Sequence, residues 1–200
     1  MTLLTRINVF HLMLGLARPV DRFVAALGNT SRDLFAALGG QTGPVFYCMG
    51  SMGSVVPFAL GIALSRPELQ FTAIEGDGSL IMNLGCLLTL KKCAAPNLNT
   101  IILDNKCYES TGGQASQPEG FSLAALIRSV GLECFECETE EDLEQSLLAA
   151  HSRKGIVIVV ATKATAPGPR INISPSEIRE RFSRGLDSSV LDSLEWDAGM

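Results

Sequence analysis

Short apolar runs alternate along this chain with longer stretches whose apolar residues recur at helical spacing, and polar loops rich in Gly, Asn and Asp separate the two. Arg22 to Leu27, Pro44 to Cys48, Phe71 to Ile74, Thr100 to Leu103, Glu133 to Glu136 and Gly155 to Thr162 read as strands. The runs at 71–74 and 100–103 are apolar and β-branched without a polar alternate face, which marks strands buried on both sides of a parallel sheet. Helices are predicted over Leu4 to Leu16, from Ser31 as N-cap through Leu38, and over Val55 to Leu64. Further helices are predicted over Leu80 to Cys93, Phe121 to Val130, Glu140 to Ala150 with Thr139 as cap, and Pro175 to Phe182. Strands alternating with helices predict an α/β fold: a parallel sheet flanked by helices on both faces, with right-handed crossovers. Residues 1–182 form this domain, and 183–200, with weak periodicity, read as a flexible C-terminal tail.

Composition narrows the class. Two hundred residues, 46% hydrophobic and 18% charged, suffice for one domain with a sizeable core and do not fit a disordered chain. A net charge of −5 supplies no basic face for nucleic acid. No apolar run reaches the length of a membrane span, and Ile7 to Ala17 is read as an amphipathic helix rather than a leader. Six cysteines, mostly inside apolar runs, read as reduced thiols of a cytoplasmic protein. Cys134 and Cys137 are taken as packing residues of a strand, since a zinc or iron–sulfur site needs a second pair or a nearby His, and the only histidines are His11 and His151.

The chemistry concentrates between Glu75 and Gln114. Two strands there are each followed by a polar loop, Gly76-Asp77-Gly78-Ser79 and Asp104-Asn105, and a crossover joins them. Loops after consecutive parallel strands emerge at the same carboxyl edge, where open α/β sheets bind ligands. Gly76 and Gly78 permit a tight turn that brings amides close to a phosphate. Asp77 alone repels such a group. A hard divalent cation resolves the conflict, because Mg²⁺ accepts a carboxylate, an amide or carbonyl oxygen, water and phosphate together. Asp77 and the side-chain oxygen of Asn105 suit that role.

Gly-Asp-Gly-Ser followed at this distance by Asp-Asn resembles the signature of thiamine diphosphate-dependent enzymes. Phe46 to Gly53, Gly61 to Leu64, Asn83-Leu84-Gly85 and Glu109-Ser110-Thr111-Gly112-Gly113-Gln114 are similar to the phosphonopyruvate and sulfopyruvate decarboxylase branch. The resemblance runs from about Leu4 to Phe182 and covers the diphosphate-binding half of a complete enzyme. It implies thiamine diphosphate and Mg²⁺ as cofactors, with Asp77, Asn105 and the Cys107 backbone carbonyl as metal ligands. It implies cofactor contacts from Gly50, Ser51, Met52, Gly76, Gly78, Ser79 and Tyr108, with Met52 wedged between the two cofactor rings and the Gly50 carbonyl accepting from the aminopyrimidine. The reaction implied is non-oxidative decarboxylation of a small anionic 2-oxo acid, phosphonopyruvate or sulfopyruvate, to an aldehyde. The activating glutamate is expected on a partner subunit carrying the pyrimidine-binding domain, in a hetero-oligomer of α₂β₂ form or larger.

Two positions depart from the pattern: Lys106 stands where relatives often carry Gly, and Tyr108 where some phosphonopyruvate-type relatives have His. The alternatives are a β-type subunit of another thiamine enzyme, an oxidoreductase or a carboligase, and a non-catalytic chain of the same fold. Scattered cysteines disfavour the ferredoxin-linked oxidoreductase, and the joint presence of Asp77, Asn105 and Met52 disfavours a decayed site.

Overall fold

Six short apolar segments pair into one all-parallel sheet, and their neighbours in space are fixed by where the helices between them can lie. A computed structural model describes residues 3–40, 44–153 and 155–187. The sheet strands are β1 (Asp21–Ala25), β2 (Val45–Tyr47), β3 (Gln70–Gly76), β4 (Leu98–Asp104), β7 (Cys134–Cys137) and β8 (Val157–Ala161), in the order β2-β1-β3-β4-β8-β7; β5 (Cys107–Tyr108) and β6 (Gln114–Ala115) form a separate antiparallel pair. The two seven-residue strands β3 and β4 sit at the centre, where Ile74, Ile101 and Ile102 are almost wholly buried.

Helices cover both faces, as a parallel sheet requires. On one side lie α1 (Arg6–Gly15), α2 (Asn29–Ala37) and α7 (Glu140–Ser152), packing Val9, Phe10, Leu34 and Leu143 against Phe23, Ile74 and Ile158. On the other lie α3 (Val55–Ser65), α5 (Gly85–Cys93) and α6 (Leu123–Ser129), packing Val56, Leu60, Leu87 and Ile127 against Val24, Phe71 and Ile102. The last helix, α8 (Pro175–Gly185), covers the β2 edge: Ile178 joins the first core, Phe182 joins the second, and the Phe182 ring stands 5.4 Å from that of Phe46. Covering an edge strand removes a template for unwanted pairing. Cys134 and Cys137 point to opposite faces, one into each core, so they share neither a disulfide nor a metal; all six cysteines are free.

Several boundaries differ from the sequence reading. Ser31 is not an N-cap: α2 starts at Asn29, Gly28 turns the chain with φ +75°, and the Ser31 hydroxyl donates to the Ala26 carbonyl. The expected helix from Leu80 to Cys93 is two. The short α4 (Asp77–Ile81) begins directly at the end of β3, and a turn containing Asn83 precedes α5. That break is held from outside, because the Asn83 amide donates to the Gly53 carbonyl at 2.8 Å. Glu75 and Gly76 therefore belong to β3 rather than to a loop. Thr139 does cap α7, in a reciprocal capping box with Asp142. Helix α8 continues past Phe182 to Gly185, and the remainder of the expected tail from 188 onward lies outside the described residues. Among the described residues no helix is long and apolar enough to cross a membrane.

Candidate functional site

The chain leaves β1 toward β2 on one side and returns to β3 on the other, so the sheet order reverses between β1 and β3. Loops diverge at such a point and leave a crevice at the carboxyl ends of the strands. The crevice here is lined by Gly28, Asn29 and Thr30 after β1, by Gly76, Asp77, Gly78 and Ser79 after β3, and by Asn105, Cys107 and Tyr108 after β4, with Met52 at its rim. The two loops singled out in the sequence thus converge.

Two helix N-termini open onto this crevice. Helix α4 starts at Asp77 and α2 starts at Asn29, neither with a side-chain bond from its N-cap residue, and the Gly78 amide helps to hold the Asp77 carboxylate. Asp77 is 2% exposed. Its Oδ2 accepts from the Ser116 hydroxyl and from Gln117 Nε2 at 3.3 Å, and the same Gln117 nitrogen donates to Asp104 Oδ1 at 2.6 Å. Burial pushes the Asp77 pKa up; the hydrogen bond from Ser116 opposes this, and the nearby Asp104 charge adds to it. A carboxylate held in this way is one whose ionised form a cation would stabilise.

Asn105 is held at both ends of its amide: Nδ2 donates to Glu109 Oε2 at 3.2 Å, and Oδ1 accepts from the Cys107 N–H at 3.1 Å. Among the described residues no cluster of three or more His, Cys, Asp or Glu side chains converges, which leaves a mixed set of carboxylate, amide and main-chain oxygens as the metal donors on offer. Gly78 has to lack a side chain for a steric reason. A Cβ there would lie 2.4 Å from Cε1 of Tyr108, whose ring packs on the turn.

The Met52 loop is left-handed over several residues, with φ +86° at Gly50, +59° at Ser51 and +77° at Gly53. It is tied to α4 by the Gly53 N–H, which donates to Ser79 Oγ at 2.8 Å. Met52 reaches the crevice, whereas Gly50 and Ser51 lie on the same loop outside its lining. Beneath them Glu75 is fully buried. One of its oxygens accepts from the Gly76 N–H at 3.2 Å, the other has no partner, and burial raises its pKa to about 7 against weaker stabilisation from Ser79 and the Gly76 and Val55 amides. The Lys106 backbone takes the left-handed conformation, φ +59°, that Gly would adopt at no steric cost, so the departure at 106 is accommodated rather than avoided.

Sequence reasoning did not assign Arg6, Asn29, Thr30, Glu109 or Thr162 to the site. Arg6 and Glu109 meet although 103 positions separate them, and Arg6 leaves no local signal, whereas Glu109 opens one of the motifs that carry the resemblance; the Thr162 hydroxyl is buried in the crevice without a partner. The Gly28-Asn29-Thr30 loop carried a signal, since it follows a strand at the carboxyl edge.

A crevice at a sheet switch point, with two helix N-termini and an Asp and an Asn as neighbouring oxygen donors, marks the ligand-binding edge of an open α/β domain. The chain belongs to the thiamine pyrophosphate enzymes, as their C-terminal TPP binding domain, which matches residues 28–161. It is 31% identical over 190 residues to the sulfopyruvate decarboxylase subunit beta of Methanothermobacter thermautotrophicus, covering 95% of this chain and 100% of that one. The corresponding subunit of Methanococcus maripaludis is 32% identical, covering 92% and 98%. The phosphonopyruvate decarboxylase of Streptomyces hygroscopicus is 31% identical over 89% of this chain but only 45% of its own. Among solved structures, a thiamin diphosphate-dependent enzyme from Mycobacterium smegmatis superimposes with a TM-score of 0.70 at 23% identity, over 80% of this chain and 32% of that one, and so shares the fold.

Proposed function

We propose that this chain is the diphosphate-binding subunit of a thiamine diphosphate- and Mg²⁺-dependent decarboxylase that converts sulfopyruvate or phosphonopyruvate to an aldehyde and CO₂. The observation that carries this reading is the convergence of Asp77 and Asn105 on one crevice beside two helix N-termini. The donor set fits the group: a buried carboxylate under repulsion from Asp104, an amide oxygen with a free lone pair, and an unpartnered Thr162 hydroxyl in the same crevice. Thiamine diphosphate, when bound, supplies the electron sink for cleaving a carboxylate from a carbon next to a carbonyl.

The chain's own residues bind and orient. Asp77 and Asn105, with the Cys107 main-chain carbonyl, would hold Mg²⁺, and the amides at Asn29, Thr30, Gly78 and Ser79, which line the same crevice, would bind the phosphates. Met52 stands at the rim to set the cofactor's conformation, its loop fixed through Gly53 and Ser79. The Gly50 carbonyl, on that loop but outside the crevice lining, would accept from the aminopyrimidine.

The activating glutamate and the pyrimidine-binding surface come from a second subunit, giving a hetero-oligomer of α₂β₂ form or larger. Relatives named as beta subunits, and a match that spans under half of a longer relative, support this. So do Met49, three residues before Met52, and Met82, the residue after α4, both exposed within runs free of charged residues.

The test is thermal unfolding with thiamine diphosphate and Mg²⁺. A ligand at a hundred times its Kd stabilises by about 2.7 kcal/mol, and Asp77→Ala abolishes the Mg²⁺-dependent part. Full retention of that part in Asp77→Ala overturns the metal assignment. Aldehyde formation from sulfopyruvate, against phosphonopyruvate, after coexpression with a pyrimidine-domain subunit then selects the substrate.

A further inference from the structure

Glu109 connects the first helix of the chain to the crevice. Its Oε2 accepts from Asn105 Nδ2 at 3.2 Å and from the Arg6 guanidinium, and its Oε1 accepts from the Thr165 N–H at 3.0 Å. Arg6, 3% exposed, is anchored independently: Nε donates to Asp33 Oδ2 at 2.6 Å and Nη2 to the Thr165 carbonyl at 3.0 Å. Asp33 in turn accepts from the Gly168 N–H at 2.6 Å. The carboxylate of Glu109 is thus fixed by α1, by the segment after β8 and, through Arg6, by α2.

An Asn amide offers an oxygen at one end and NH₂ at the other, and its flip is decided by its partners. Here the partners are unambiguous. An ionised carboxylate only accepts, so it takes the NH₂; the Cys107 N–H only donates, so it takes the oxygen. We infer that Glu109 is a positioning residue: it holds Asn105 in the one flip that presents oxygen to a cation shared with Asp77, while Arg6 fixes Glu109. This rests on the metal reading above. A hard cation accepts the oxygen and rejects NH₂, so an amide free to turn spends part of its time in a state that cannot ligate. Outer partners of metal ligands are typically worth 10–100-fold in metal affinity.

The experiment is a Mn²⁺ titration followed by electron paramagnetic resonance, on the full chain with saturating thiamine diphosphate. Glu109→Ala is expected to weaken Mn²⁺ about 10–100-fold. Glu109→Gln keeps an acceptor for the Asn105 NH₂ while losing the charge, and is expected to bind closer to wild type than to the alanine variant. A simple loss of negative charge would weaken both alike. Arg6 keeps Asp33 and the Thr165 carbonyl in either variant. If the alanine chain nevertheless fails to fold, Glu109→Met, which keeps the volume without an acceptor, gives the same reading. Wild-type affinity in Glu109→Ala, or equal losses for Ala and Gln, overturns the inference alone. Absence of Mn²⁺ binding by the wild-type chain overturns the metal reading and the inference with it.

Discussion

Glu75 is a carboxyl group buried where its charge is unwelcome, and replacing it with Gln should reveal that in the pH dependence of stability. It is fully inaccessible, one oxygen has no partner, and its pKa rises from 4.5 to about 7, chiefly through burial. The folded state therefore holds this proton more tightly than the unfolded state. Between the two pKa values the unfolded state ionises first, so stability falls as pH rises from about 4.5 to about 7 and stays lower above that. Each unit is worth about 1.36 kcal/mol, which makes the loss about 3 kcal/mol. Glu75→Gln carries no titrating group and escapes it. The assay is urea unfolding of both chains, with EDTA and without cofactor, from pH 4 to 8. Subtracting the two curves cancels the other carboxylates, and the constant cost of seating a Gln amide drops out of the slope. The variant is expected to gain about 3 kcal/mol relative to wild type across that range. A difference that is flat with pH would refute the claim that Glu75 is protonated in the folded chain near neutrality.

Gly78→Ala forces the Tyr108 ring off the turn, because the added Cβ would sit 2.4 Å from Cε1; a loss of about 1–3 kcal/mol in urea unfolding is expected, and none at all would mean the ring moves freely. Lys106→Gly is expected to be more stable than Lys106→Ala by about 1 kcal/mol, since both lose the side chain and only Ala retains the Cβ that a φ of +59° disfavours; equal thermal midpoints would count against a left-handed backbone there.

Much of the fold could be read from the strands, because a parallel sheet buries them on both faces and leaves continuous apolar runs such as Thr100 to Leu103. The loops after β3 and β4 were legible for the same reason, since strand direction alone places Asp77 and Asn105 at one edge. Helix ends were read less well. The break between α4 and α5 is held by Asn83 binding the Gly53 carbonyl, a contact with a residue 30 positions away that no local pattern announces. Ser31 looked like a cap because residue type favours it, but Gly28 could turn earlier and the hydroxyl found the Ala26 carbonyl instead.

The same distinction runs through the site. The crevice residues lie next to strand ends and carry local signatures, whereas Arg6, which braces them through Glu109, is remote in sequence. Arg6 reaches Asp33, Glu109 and Thr165 from the first turn of α1, and within its own helix it is a lone cation among apolar residues. Nothing in the helical pattern separates it from a solvated arginine. Only closure of the sheet, which brings the start of the chain parallel to the end of β8 at Leu4 and Thr162, buries that cation beside two carboxylates. Buried and paired, it keeps Glu109 where the Asn105 amide needs an acceptor, so the orientation of a residue in the central motif is set from the first helix.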